Sequence, residues 1–230
     1  MAGLRAIVAA AGEGRRFGPG APKQLVEVAG RPLVEWSVDR MSTLAEEVVV
    51  AVPASLLAAF EACFTDWPRV RCVVGGATRG QSVLRALEST VGEDDDLVAI
   101  HDAARPALAA EDFARVVEAA AAHGAAILGR PVSDTLKRVD DGWIESTVDR
   151  AFLFRAETPQ VFRRDLLRRA FERAGGSEAT DESALVEALG TAKVAAVVAS
   201  HPNPKLTVPG DLPLLEALLS GFPSVAGGSA

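Results

Sequence analysis

The sequence predicts an α/β protein: a mostly parallel, doubly wound sheet in one domain, with a protruding β-arm. Two observations carry that expectation. Short apolar runs alternate with amphipathic stretches, the pattern of strands joined by crossover helices. Late in the chain the pattern breaks into a hairpin around an Asp-Gly turn. The elements follow in order. Leu4–Ala11 is a run of small and β-branched residues, read as the first strand. Leu33–Met41 follows Pro32, a residue favoured at helix starts. Glu47–Val52 is a second strand stopped by Pro53, and Ser55–Phe64 places Leu56, Leu57 and Phe60 on one helical face. Val70–Val74 is a third strand. Thr78–Glu88 is a helix whose Thr78 and Gln81 have the spacing of a capping box.

After the acidic turn Asp94–Asp96, Leu97–His101 forms a fourth strand, Glu111–His123 a helix and Ala125–Leu128 a fifth strand. Beyond Pro131, Thr135–Val139 and Trp143–Val148 flank Asp140-Asp141-Gly142 as a hairpin. That hairpin is too small to bury a core, so it is expected to pack on something else, a second subunit being one candidate. Helices near Arg164–Ala174 and Asp181–Leu189, a strand at Ala192–Ala199 and a helix from Asp211 complete the pattern. The expected organisation is one domain over residues 1–220, an arm insertion over 131–160, and a Gly/Ser/Ala-rich tail over 221–230.

Composition narrows the function. At 230 residues the chain suits one large domain. It carries 24 Lys+Arg against 31 Asp+Glu, a net charge of -7, which argues against a nucleic-acid-binding surface. No apolar run is long enough to span a bilayer. Cys63 and Cys72 match no metal or redox spacing, and His101, His123 and His201 are scattered. A reducing, cytoplasmic setting is therefore expected.

Three segments carry candidate chemistry. The first strand runs into Ala9-Ala10-Ala11-Gly12-Glu13-Gly14-Arg15-Arg16-Phe17-Gly18, then Pro22-Lys23-Gln24. Glycines let backbone amides approach a phosphate, and Arg16 and Lys23 add full positive charges, so a phosphate-rich ligand is expected. A dinucleotide-binding turn would need glycine where Phe17 stands, and a Walker loop would need Gly-Lys-Ser/Thr. The second segment, His101-Asp102-Ala103-Ala104-Arg105-Pro106, lies just past the fourth strand, where ligands of open α/β sheets bind. Asp102 can help hold Mg²⁺ and Arg105 can pair with an anion; His101 reads as a packed strand-end residue. The third, Gly75-Gly76-Ala77-Thr78-Arg79-Gly80-Gln81-Ser82, repeats the strand, glycine turn and helix start. There Gly75, Gly76 and Ser82 could read a base edge.

These motifs, with Asp134-Thr135-Leu136-Lys137, Thr147-Val148-Asp149-Arg150, Thr158-Pro159-Gln160 and Thr180-Asp181-Glu182, occur in order from about Ile7 to Leu212. In this the chain resembles the 2-C-methyl-D-erythritol 4-phosphate cytidylyltransferases of the non-mevalonate isoprenoid pathway. The resemblance implies a Rossmann-like nucleotidyltransferase fold and a Mg²⁺-assisted transfer from CTP to a polyol phosphate. It implies that Arg16, Lys23 and Lys205 act in catalysis. Ala10, Ala11, Gly12, Gly14, Gly76 and Ser82 would bind the nucleotide, and Asp102 would lie near the metal. Asp102, Arg105, Thr135 and Arg150 would bind the polyol phosphate, with Thr135 and Arg150 supplied by the arm of a partner in a homodimer. Ribitol 5-phosphate is the alternative polyol substrate. The chain departs from the family pattern at Ala9, Ala77 (where an acid is frequent), Leu25 and Pro204, and none of these departures removes a charged group read as catalytic.

Overall fold

The computed structural model describes residues 2–12, 17, 22–176 and 179–221. In chain order the elements are β1 (Leu4–Ala9), β2 (Glu27–Val28), β3 (Arg31–Pro32), α1 (Leu33–Ser42), β4 (Glu47–Val52), α2 (Leu57–Cys63), β5 (Val70–Val74), α3 (Arg79–Ser89), β6 (Leu97–Asp102) and α4 (Ala110–His123). There follow β7 (Ala125–Pro131), β8 (Leu136–Asp140), β9 (Trp143–Val148), β10 (Phe154–Arg163), α5 (Arg164–Ala174), α6 (Glu182–Leu189), β11 (Ala195–Val198) and α7 (Leu212–Leu219).

Seven strands form one sheet in the order β11-β7-β10-β6-β1-β4-β5. All neighbours pair in parallel except β10, which runs antiparallel between β6 and β7. Successive side chains of a strand point to opposite faces, and the core follows that alternation. Ala6, Val8, Val48, Val50 and Val52 face α1, α2 and α4 through Val34, Phe60 and Phe113. Ile7, Val49, Ala51 and Ile100 face α3, α5 and α6 through Val83, Leu167 and Val186. With both faces covered, these strands read as continuous apolar runs. A third cluster, Leu33, Trp36, Ala104, Leu206, Leu215 and Leu219, seats α7 over the loop after β6.

The sequence reading misses the short pair β2 and β3 and, in the main sheet, β10. Strand β10 carries Arg155, Glu157 and a proline, with the Thr158–Pro159 peptide cis, and its pairing with β7 is interrupted between Ala156 and Gln160. The arm is consequently shorter than 131–160: Phe154–Gln160 belongs to the main sheet, and β7 extends to Pro131. The hairpin itself is β8 and β9, joined by Asp141 and Gly142 at φ 43° and 81°. Positive φ at both turn positions matches the twist of a two-residue hairpin. Gly14, Arg16 and all of the tail except Gly221 lie outside the described residues.

Two local expectations change. Pro32 caps α1 from outside rather than opening it. At α3, Thr78 Oγ1 accepts from Gln81 N at 3.2 Å, but Gln81 Oε1 accepts from Ala77 N, one residue before the position a capping box requires.

Candidate active site

The site lies beyond the carboxyl ends of β1, β4, β5 and β6. Here β1 is flanked by β4 on one side and β6 on the other, the strand-order switch at which open sheets leave a crevice. The crevice is a cavity of about 600 Å³, floored by Ala9 at the end of β1, Ala11 and Gly12 after it, and Gly75 to Thr78 after β5. Lys23, Arg79, Asp102 and Lys205 supply its charges.

Close backbone approach shapes the floor. A Cβ on Gly75 would fall 2.6 Å from Ala11 Cβ and 2.7 Å from Ser82 Oγ, so only glycine lets β5 end this near the first loop. Ser82 Oγ accepts from Gly76 N at 3.0 Å and donates to Thr78 O at 2.8 Å. It therefore folds the glycine turn and keeps one lone pair for a ligand. Gln24, buried, donates to Ala10 O at 2.9 Å and Gly12 O at 2.7 Å, pinning the loop that the sequence assigns to phosphates.

At the end of β6 the charges form a chain. Asp102 Oδ1 accepts from Arg79 Nε at 3.0 Å, and Oδ2 accepts from Lys205 Nζ at 2.6 Å. Arg79 Nη1 reaches both oxygens of Glu182 at 2.8 and 2.7 Å. Burial opposes ionisation of Asp102, but Arg79, then Lys205 and Arg105, outweigh it and hold the carboxyl well below the usual range. Burial likewise works against the Arg79 charge, and the two carboxylates more than compensate, raising its pKa. Burial pushes the Glu182 carboxyl up, with Arg79 pulling against it.

Behind this chain, the backbone N of Asp102 donates to Thr158 Oγ1 at 3.0 Å, and that hydroxyl meets His101 Nδ1 at 3.0 Å. His101 Nε2 faces Arg105 O at 2.9 Å. A carbonyl only accepts, so Nε2 carries the proton and Nδ1 accepts from Thr158. His101 is fully buried, as a packed strand-end residue should be, and burial pushes its imidazole down to about 4. The linkage has a definite sign. The folded state resists protonation, so this contribution to stability is complete above the unfolded value of about 6.5 and is lost as pH falls toward 4. The expected loss is roughly 3 kcal/mol over that interval. Urea titrations of the parent and of His101→Gln check it: the parent should show the steeper fall, and equal slopes would contradict the assignment.

Lys205 sits on a segment tied down from several sides. Ser200 N and His201 N donate to Asp112, Arg130 donates to His201 O, and Asn203 Nδ2 donates to Thr158 O at 2.8 Å. Leu206 N bonds Ala104 O at 2.8 Å, and Lys23 Nζ donates to Leu206 O at 3.1 Å, which draws the two lysines to one end of the cavity.

Of the residues singled out in the sequence, Ala11, Gly12, Lys23, Gly76, Ser82, Asp102 and Lys205 line the cavity together. Ala10 is fully buried and contributes through its carbonyl. Arg105 does not line the cavity: its Nη1 donates to Asn203 O at 2.7 Å, bracing the Lys205 segment. Thr135 and Arg150 are exposed and do not line it either. Sequence reasoning left Arg79, Gln24 and Glu182 without a role. Arg79 and Glu182 lay inside quoted motifs, but only their contacts across 23 and 103 residues give them meaning.

Comparison with known proteins agrees along the chain. The family model described as IspD, 2-C-methyl-D-erythritol 4-phosphate cytidylyltransferase, matches residues 4–221. The enzyme of that name from Symbiobacterium thermophilum is 43% identical over 220 residues, covering 93% of this chain and 91% of its own. The one from Endomicrobium trichonymphae is 38% identical over 217 residues, covering 93% and 97%. Among solved structures, the cytidylyltransferase from Thermus thermophilus superposes with a TM-score of 0.79 at 36% identity, over 95% of this chain and 99% of that one.

Proposed function

We propose that this chain, which belongs to the 2-C-methyl-D-erythritol 4-phosphate cytidylyltransferase family and transfers a cytidylyl group from CTP to that polyol phosphate, does so through the cavity of Lys23, Asp102 and Lys205. The observation that supports it is the convergence of two lysines and one carboxylate on a glycine-floored crevice. The nucleophile is the substrate's own phosphate, already anionic, so no protein base is required; His101, buried and neutral, is not one. A phosphate oxygen of the polyol attacks the α-phosphorus of CTP in line. One P–O bond forms, the bond to the β-phosphate breaks, and pyrophosphate leaves. Such transfers run on positioning and charge stabilisation, which Lys23 and Lys205 are suited to give. Arg16, outside the described residues, would join them on the triphosphate.

Magnesium fits beside Asp102, each of whose oxygens accepts from one side chain, Arg79 or Lys205, and keeps a second lone pair. No cluster of three or more His, Cys, Asp or Glu suited to a metal occurs among the described residues, and Mg²⁺ commonly takes one or two carboxylates with substrate phosphates. Asp102 is the carboxylate that would hold it, and the ion would supply further charge neutralisation at the phosphates.

The arm supports a homodimeric reading. Val139, Trp143, Ile144 and Phe152 expose large apolar side chains on and beside the hairpin, Phe152 at 96%, and exposed apolar clusters mark association surfaces. In this reading Thr135 and Arg150 reach the partner's cavity and grip the polyol phosphate. Arg150→Ala should raise KM for the polyol phosphate more than for CTP, as lost ground-state binding does. Mixed dimers of Arg150→Ala and Lys23→Ala chains should regain activity, since one cavity then has an intact floor and an intact arm. No recovery in verified mixed dimers would contradict arm exchange. A cytoplasmic setting belongs to the same reading. Pyrophosphate release with CTP, ATP, GTP and UTP, and with methylerythritol phosphate beside ribitol 5-phosphate, tests the whole. Equal use of the four nucleotides would overturn the base preference, and preference for ribitol 5-phosphate would favour the alternative substrate.

A further inference from the structure

Thr180-Asp181-Glu182 opens α6. Asp181 Oδ1 accepts from Ala184 N at 3.0 Å, and Oδ2 accepts from Gln160 Nε2 at 2.8 Å. Gln160 Oε1 accepts from Ser183 N at 3.1 Å, so the first turn of α6 is locked to β10. This lock fixes Glu182, whose side chain is 1% exposed, against Arg79. The result is an alternating row: Glu182, Arg79, Asp102, Lys205.

Arg79 is long, and its side chain is 30% exposed. A guanidinium facing a carboxylate ordinarily takes both oxygens with a fork of two N–H groups. Here it does not. Glu182 occupies Nη1, and only Nε reaches Asp102, at Oδ1. Oδ2 is left to Lys205, whose ammonium is thereby held at the cavity edge. Among the described residues nothing else restrains Arg79 Nη1.

We propose that Glu182 is a positioning residue for the transfer: by holding Arg79 Nη1 it fixes how the guanidinium is turned, so that Nε meets one oxygen of Asp102 and the other stays with Lys205. The inference rests on the cavity described above being the reaction site. Glu182 touches no substrate. Without its charge, the guanidinium turns, brings Nη2 beside Nε onto Asp102 as a fork and displaces Lys205 from its station.

The experiment is a kinetic cycle of Arg79→Gln, Glu182→Gln and the double variant, with Glu182→Asp beside them. Pyrophosphate release is measured at saturating CTP and polyol phosphate. Glu182→Gln should lower kcat by about 10- to 100-fold, the range for a misplaced group near the reacting atoms, while KM for CTP moves by less than about threefold. Glu182→Asp should recover part of that loss. The double variant should turn over no more slowly than Arg79→Gln alone, because the competing guanidinium is gone, whereas a merely structural Glu182 would multiply the two losses. Multiplied losses, or a Glu182→Gln defect confined to KM, overturn the proposal. If Glu182→Gln does not fold, the comparison of the double variant with Arg79→Gln decides by itself. Full activity in Lys205→Ala would instead overturn the site.

Discussion

Lys205→Ala is expected to lower kcat by about 10²- to 10³-fold, the usual cost of deleting one preorganised group that faces developing charge. The side chain of Lys205 is 37% exposed and lines the cavity, and its ammonium lies 2.6 Å from Asp102 Oδ2, so it is anchored on one side and open to the cavity on the other. As pyrophosphate departs, charge accumulates on the oxygens nearest such a group. KM for CTP should change much less, since Lys23 remains. Lys205→Arg should restore little, because a planar fork does not reproduce a compact ammonium. Steady-state pyrophosphate release at saturating substrates reads the effect. An unchanged kcat with raised KM would mean that Lys205 serves binding alone.

Asp102→Asn is expected to damage both stability and turnover. The side chain is 11% exposed between Arg79 and Lys205. Removing the charge leaves Arg79 with Glu182 alone and takes the carboxylate away from Lys205, and breaking such a buried arrangement costs about 3 kcal/mol. The sign of the pH dependence follows from the lowered carboxyl pKa. The stabilisation is complete above the unfolded value of about 3.9 and disappears only as pH falls below it. The stability gap between parent and variant should thus stay level from about pH 5 upward and narrow only in stronger acid. Urea unfolding at several pH values measures this. A gap that widened on acidification would show that Asp102 is protonated in the native state.

Much of the scaffold is written locally. Glu47–Val52 and Val70–Val74 match the observed strands residue for residue, since both are apolar runs with sharp ends. The hairpin turn is equally local, for Asp141 and Gly142 take the positive φ their dipeptide favours. β10 escaped because its burial is not encoded by apolar alternation. Glu157 is 2% exposed, with Arg130 and Arg155 pairing with it at 3.4 and 3.2 Å and Arg105 at 4.0 Å, partners supplied by the folded sheet. The site divides in the same way. Lys23, Asp102 and Lys205 stand in motifs whose residue types already suggest phosphate and metal chemistry. Arg105 has the same appearance, yet its guanidinium braces the Lys205 segment through Asn203. Arg79 and Glu182 gain meaning only when α3, β6 and α6 converge, a long-range arrangement that no local pattern announces.

A crystal structure with CTP bound in the presence of a divalent cation would be decisive. The triphosphate should lie between the ammonium groups of Lys23 and Lys205, with the cytosine against the turn from Gly75 to Ser82 and the cation beside Asp102. A nucleotide seated elsewhere, or phosphates out of reach of both lysines, would contradict the assignment of this cavity.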